Sequence, residues 1–453
     1  MLGVVTAIAL VWSISLALNA PGHLSYDSIV QLFEGRTGRG GSIHPPLMSM
    51  LLGAFDFVVP GTALYLLFVT ALLLISVVLI VRATARPWFA FFAYAAISAT
   101  PFLLIYQGII WKDVLFANLA VLAFSVLLLP VAAGRSWQAI AVYGLAALLV
   151  GSALLTRQSG FLILPFFIAA ICLTYRRLGW AKAASIGAAA LAAVVMLSVA
   201  LSLITTRAIQ QRADGAFGTG LRVLMQYDIA GILVRAPGLL QPATSLPAEN
   251  APAILADLSA RYTPERLDYL TDSQLYKGLL GALDGHAITA LWWRLVLEAP
   301  SAYARHRLAV VRWTFLPPEP RRCLPVHIGI EGPADLAASL GIVRGTRPSD
   351  QALYRYAIGF VDTPTFLAGT YAAFALVMIV LLLRRRNPTD FVIAAMLGAG
   401  LAFAASYIAI GIACDFRYTY FTTLATLLAL VYCVGSPGLF RRERTVQSSR
   451  ATA

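Results

Sequence analysis

The chain reads as apolar runs of about twenty residues separated by short polar breaks, the pattern of helices that cross a bilayer. Ten runs qualify: 2–19, 62–81, 88–107, 113–133, 138–156, 160–175, 182–204, 364–383, 390–412 and 416–434. The stretch 46–60 (PLMSMLLGAFDFVVP) is apolar but broken by Asp56 and Pro60, which predicts a helix lying on or dipping into the interface. Residues 1–19 run into LALNA (16–20), which ends in small residues as a signal peptide does, yet no basic segment precedes the apolar core and the run is long enough to span. They are expected to form the first transmembrane helix. The pattern lapses over 205–363, where Pro, Gly and charged residues interleave; within it 222–232 and 287–315 read as helical, with a break at Pro300.

The expected architecture is therefore an all-α polytopic membrane protein of about ten spans with one sizeable outer region. Its parts are a seven-helix core over 1–204 with outer loops 20–61, 108–112 and 157–160, an outer hydrophilic region over 205–363, three C-terminal helices over 364–434, and a tail over 435–453. Composition agrees. The chain is 59% hydrophobic and only 12% charged, with mean hydropathy +0.78; ordinary globular domains carry about 25% charged residues.

Charge fixes the expected orientation. Threaded from an inside N-terminus, Arg82 and Arg86, then Arg135, then Arg176, Arg177 and Lys182, then Arg384 to Arg386, then Arg441, Arg442 and Arg444 all fall on one side. Those loops are basic and nearly free of acid, so that side is expected to be cytoplasmic, with both termini there. The net charge of +13 is accounted for by such loops, and no nucleic-acid partner is expected. The four cysteines show no metal or redox spacing; a Cys323–Cys414 bridge outside the membrane is one option.

The remaining polar motifs fall on the opposite face. Asp27 and His44 lie in the first outer loop, Trp111-Lys112-Asp113 in the second, Arg157-Gln158-Ser159-Gly160 in the third, and Asp415-Phe416-Arg417-Tyr418 between the last two helices. Each has a structural explanation. Asp27 can cap a short helix and His44-Pro45-Pro46 can start the next; Lys112 can pair with Asp113, Arg157 can snorkel, and Asp415 can satisfy Arg417. Converging at one membrane face, they mark a candidate site for a lipid head group. Tyr303-Ala304-Arg305-His306-Arg307 is a further basic cluster, expected as a solvated face or a phosphate or glycan contact.

The order of these motifs resembles the GT-C glycosyltransferases: Tyr26-Asp27-Ser28 and His44-Pro45-Pro46-Leu47 in the first outer loop, then an acidic residue, Asp113, in the second. The His-Pro-Pro-Leu element is similar to that of the protein O-mannosyltransferases, and its Lys-Pro-Pro counterpart in the aminoarabinose transferases places a cation by the lipid phosphate. The first loop departs from the pattern in lacking an Asp-Glu pair, and Trp-Lys-Asp matches the second loop only through Asp113. The resemblance implies an inverting transfer of a sugar from a polyprenyl phosphate to an acceptor hydroxyl, at the periplasmic face of a bacterial inner membrane.

That chemistry needs a base for the acceptor proton and cations for the departing phosphate. Asp27 is the expected base. Asp113 is the second carboxylate, orienting the acceptor or, with Asp27, holding a divalent cation; no other cofactor is expected. His44, Lys112, Arg157 and Arg417 are the expected phosphate-binding groups, the arginines with the better geometry. The acceptor class, an envelope glycan, lipid or protein, stays open. Two other functions compete: an O-antigen ligase or polymerase, which would put Arg305, His306 and Arg307 to work, and a transporter or flippase of lipid-linked saccharides, which would show interrupted helices.

Overall fold

The computed structural model describes residues 1–40, 44–130, 136–210, 215–240 and 249–436. Arg135 and the tail from 437, with Arg441, Arg442 and Arg444, lie outside the described residues. Among the described residues the protein is all-helical, with isolated bridges in place of strands.

Six helices over the N-terminal third set up the site: α1 (Leu2–Asn19), α2 (Tyr26–Thr37), α3 (Pro46–Val58), α4 (Ala63–Arg82), α5 (Pro87–Ser98) and the single turn α6 (Pro101–Leu104). They are followed by α7 (Lys112–Val126), α8 (Ser136–Leu154), α9 (Leu164–Tyr175) and α10 (Trp180–Ala208). The stretch expected as the outer region contributes α11 (Gly215–Arg235), α12 (Ala251–Arg261), α13 (Gly285–Glu298), α14 (Pro300–Phe315), α15 (Ala334–Ser339) and α16 (Pro348–Ile358). The chain then returns to the bundle as α17 (Ala368–Arg385), α18 (Pro388–Ile410) and α19 (Tyr420–Gly435).

Eight of the ten expected spans are helices long and apolar enough to cross a membrane. The other two differ for physical reasons. The expected span 88–107 breaks into two helices meeting at 84°. Thr100 is extended and Pro101 begins the second piece, because a residue before proline is pushed out of the helical region and proline cannot donate to the preceding turn. The span expected at 113–133 is α7, only 15 residues and about 22 Å long. Every residue from Asp113 to Val126 is buried, for α7 is the central helix, packed among α4, α8, α18 and α19. Its all-round apolar surface is what such a position demands.

The stretch 46–60 is a helix too short to cross: α3 is packed against α2 and α4. The α2–α3 crossing is close because two glycines meet there. A Cβ on Gly35 would sit 2.2 Å from the Ser49 carbonyl oxygen, and one on Gly53 2.3 Å from that of Gly35. Asp56, the charge that interrupts the apolar run, is gripped bidentately by one edge of Arg36, Nε and Nη2, at 2.6 and 2.8 Å.

One end of the bundle gathers the basic loops. Arg176 donates to the Arg386 carbonyl, Arg385 to that of Ser436, and the Arg86 amide to that of Gly435. The opposite end carries the outer region, which divides into two packing units. Met225, Tyr227, Leu258, Leu291, Leu295 and Val310 belong to a core of α11–α14. Val326, Leu340, Leu353 and Val361 instead join the main bundle core. His306 and Arg307 correct the expectation of a solvated basic face, which of the cluster's basic residues only the exposed Arg305 meets: His306 is wholly buried, its Nε2 3.0 Å from Asp228, and Arg307 pairs with the same carboxylate. A helix that covers another module turns its basic residues inward only where an acid waits for them, and Asp228 is that acid.

Candidate active site

Five separate stretches build the site. The first is the start of α2, where Ser25 and Ser28 form a reciprocal cap. Ser28 Oγ donates to the Ile110 carbonyl at 2.6 Å, and Trp111 Nε1 donates to Ser25 Oγ at 2.8 Å. These bonds bolt the first turn of α2, and with it Asp27, onto the stretch leading into α7. His44, just ahead of α3, reaches the same place. Lys112 and Asp113 open α7, Arg157 closes the turn after α8, and Arg417 sits in the short turn Phe416–Thr419 ahead of α19.

Asp27, His44, Lys112 and Arg417 form one chain of contacts. Arg417 Nη1 donates to Asp27 Oδ2 at 2.7 Å. His44 Nε2 lies 3.4 Å from Asp27 Oδ1, and its Nδ1 lies 2.7 Å from Lys112 Nζ. When Lys112 is protonated its ammonium can only donate, so His44 then accepts at Nδ1 and turns its Nε2–H towards Asp27. Burial and the Lys112 charge both lower the His44 pKa, with Asp27 opposing them, which keeps the ring in this neutral form. Burial by itself would raise the Asp27 carboxyl; Arg417, then His44 and Lys112, overcome it and hold the group well below the usual carboxylate range.

Asp113 and Arg157 form a second, deeper pair. Asp113 is 3% exposed and Arg157 10%. Arg157 also donates to the Tyr407 hydroxyl and lies over the rings of Phe403, Tyr407 and Tyr418. Tyr418 joins the two clusters: its ring stacks on Tyr407 at 5.2 Å, and the Arg157 and Arg417 guanidinium carbons each lie 5.4 Å from its centre. Arg417 also lies 5.1 Å from the Trp111 ring.

All six residues singled out from the sequence thus lie at one end of the bundle, though not always in the pairings their order suggested. Lys112 faces His44 rather than its neighbour Asp113. Arg157 turns inward to Asp113 instead of reaching for the surface. Asp415 does meet Arg417, at 3.3 Å, but also accepts from Arg266 at 2.8 Å. Sequence order gave no sign of Arg266, Tyr407 or the buried His327, whose ring lies 6.0 Å from that of Trp111. Tyr418 was legible only as the neighbour of Arg417.

Asp27, Asp113 and Asp415 balance Arg157, Arg417 and Arg266, and Lys112, whose pKa burial and then the Arg157 charge lower to about 7, adds one positive charge in surplus when it is protonated. Such a cluster suits an anionic ligand bearing oxygens for planar guanidinium groups. It does not fit a divalent cation: each carboxylate faces an arginine, and among the described residues no three His, Cys, Asp or Glu side chains gather as a metal site. We derive no step through a metal ion.

No family model matches the chain, and no curated protein matches it. Among solved structures it is similar to ArnT from Cupriavidus metallidurans bound to undecaprenyl phosphate, with TM-score 0.37 and 15% identity over 95% of this chain and 77% of that one. It is also similar to the Archaeoglobus fulgidus oligosaccharyltransferase tethered to an acceptor peptide containing the NVT sequon, with TM-score 0.43 and 13% identity over 94% of this chain. The apo form of that enzyme gives TM-score 0.41 and 14% identity. The chain spans about half the length of the oligosaccharyltransferase, 49% and 50% in the two structures.

Proposed function

We propose that the chain is an integral membrane glycosyltransferase of the GT-C kind, moving a sugar from a polyprenyl-phosphate donor to an acceptor hydroxyl. The observation that carries this reading is the meeting of Asp27 with Arg417, His44 and Lys112, beside the Asp113–Arg157 pair, at one end of an apolar bundle. A donor of this class has an isoprenoid tail that must stay in lipid and a phosphate that must be neutralised at the boundary. The cluster supplies the second requirement where the spans end. The Cys323–Cys414 disulfide at the same end suits an oxidising compartment, supporting an outer, periplasmic face.

In the proposed reaction the acceptor O–H gives its proton to the Asp27 carboxylate while its oxygen bonds to the sugar C1. The C1–O bond to phosphate breaks, and the electron pair leaves with the phosphate. Arg417, Arg157 and Lys112 bear the charge that develops there, each buried donor contributing about 2–4 kcal/mol to the transition state. Phosphate is a competent leaving group, so no general acid is required. Asp27 is a weak base while Arg417 holds it; a bound phosphate competes for that guanidinium and so frees the carboxylate to accept a proton. In this reading Asp113, paired with Arg157, orients the acceptor, and His44 keeps Asp27 and Lys112 in register.

The O-antigen ligase alternative is the less supported, because His306 and Arg307 are spent on Asp228. The test is Asp27→Asn expressed in cells lacking the native gene, with envelope glycans read by mass spectrometry. The expected result is loss of the glycan mass restored by the wild-type protein, at unchanged membrane abundance and melting temperature. Full restoration by Asp27→Asn would remove Asp27 as base.

A further inference from the structure

The turn between α18 and α19, residues 411–419, is held from the outer region at more points than a nine-residue connection requires. Arg307 Nη1 donates to the Gly411 carbonyl at 2.8 Å. The Leu267 amide donates to the Ile412 carbonyl at 2.9 Å, and the Cys414 amide to that of Glu265 at 2.8 Å, so the segments 265–267 and 412–414 run as a short antiparallel pair. The Cys323–Cys414 disulfide ties the same turn covalently to a segment 91 residues away. Arg266 spans these ties, since its Nη2 donates both to the Arg322 carbonyl at 3.1 Å and to Asp415 Oδ1 at 2.8 Å.

Charges alternate along the resulting line: Arg266, Asp415, Arg417, Asp27. Asp415 is buried; its Oδ1 accepts from Arg266 at 2.8 Å, while its Oδ2 lies 3.3 Å from Arg417 Nε, a charge contact without hydrogen-bond alignment. With the Nε edge of Arg417 facing Asp415, Asp27 is met by Nη1. A guanidinium left to itself would close on Asp27 with both prongs of its fork, the preferred geometry for an arginine and a carboxylate.

We propose that Asp415 is a positioning residue: held by Arg266 and by the disulfide-tied turn, it fixes the orientation of Arg417 so that the guanidinium is presented to the donor phosphate instead of folding onto Asp27. This rests on the reading of Arg417 as a phosphate-binding group. It carries a sign that charge alone would not give. Removing an acid beside a phosphate site should tighten phosphate binding by ordinary Coulomb attraction. Losing the orientation of Arg417 should weaken it.

The experiment uses the full chain in detergent micelles, with undecaprenyl phosphate as probe and undecaprenol as uncharged control. Asp415→Asn is expected to weaken undecaprenyl phosphate binding on the order of 10- to 100-fold, the scale of a misplaced group in a preorganised site, while undecaprenol binding is unchanged. Arg266→Ala should do the same, with Arg266→Lys recovering most of the loss. Hydrogen exchange over 411–419, measured without ligand, should rise in Asp415→Asn and in the Cys323→Ser, Cys414→Ser double variant. Tighter or unchanged phosphate binding by a folded Asp415→Asn variant overturns the proposal, as does unchanged exchange across the turn. Should the wild-type protein bind undecaprenol and undecaprenyl phosphate alike, the glycosyltransferase reading fails instead, and the exchange measurement still decides whether Asp415 holds the turn.

Discussion

Removing either partner of the Asp113–Arg157 pair should cost more stability than removing both. Arg157→Met leaves Asp113, 3% exposed, with no second partner among the described residues. Uncompensated buried charge of this kind costs about 3–5 kcal/mol, and the upper half of that range is expected here. Asp113→Leu leaves Arg157 with the Tyr407 hydroxyl and three aromatic faces at 5.4 to 5.9 Å, which retain part of its stabilisation. A loss of about 3 kcal/mol, the lower bound, is expected for that variant. The double variant puts leucine and methionine into a site already walled by apolar and aromatic side chains. It should fall within about 1–2 kcal/mol of the wild-type protein, because a buried pair replaced by apolar residues of similar volume is close to neutral. Chemical unfolding of the four proteins in one detergent gives the cycle, and undecaprenyl phosphate binding is measured on the same samples. A double variant that loses the sum of the two single losses would refute the coupling. If the double variant is folded and binds the lipid phosphate as tightly as wild type, Arg157 has no part in holding it.

Gly53→Ala should cost about 2 kcal/mol, since its Cβ would meet the Gly35 carbonyl at 2.3 Å and neither backbone can yield without splaying α2 from α3. Because α2 carries Asp27, glycan transfer should fall with the melting temperature; a variant as stable as wild type would show that the two helices cross with room to spare. Arg417→Lys keeps the charge but loses the planar fork and the stacking on Trp111 and Tyr418. Turnover in reconstituted membranes should drop on the order of 100-fold, and wild-type turnover would remove Arg417 from the phosphate site. Acidification should destabilise the protein in two steps. Burial lowers the His23 pKa to about 4 against a smaller opposing pull from Asp350, and burial lowers His44, His306 and His327 in the same direction. The unfolded chain therefore takes up protons first, and stability is lost as pH falls from about 6.5, with His23 accounting for roughly 3 kcal/mol by pH 4. Asp27, whose pKa is depressed, contributes stability that is lost only below about pH 3.9. A melting temperature flat between pH 7 and pH 4.5 would contradict the buried, neutral histidines.

Hydropathy by itself located eight of the ten expected spans and so the ends of each. A run of about twenty apolar residues crosses and its flanks do not, so the acids and arginines that end spans at the same face had to share one layer, whatever the packing. For that reason the amino-acid order alone suffices to group Asp27, His44, Lys112, Asp113, Arg157 and Arg417. The break before Pro101 escaped the hydropathy pattern, which ran 88–107 as one span, although its cause is local, the conformation proline imposes on its neighbour. Depth, however, says nothing about rotation around a helix axis or about which helices touch. Those are set by packing across the bundle, and they decided that Asp113 meets Arg157 rather than Lys112, and that Lys112 meets His44. The stretch from α11 to α16 holds, among its described residues, no helix long and apolar enough to span, so hydropathy does not order it and its packing was the least legible. Only tertiary packing sent His306 and Arg307 inward to Asp228, joined Cys323 to Cys414, and laid Arg266 against Asp415, 149 residues away in the chain.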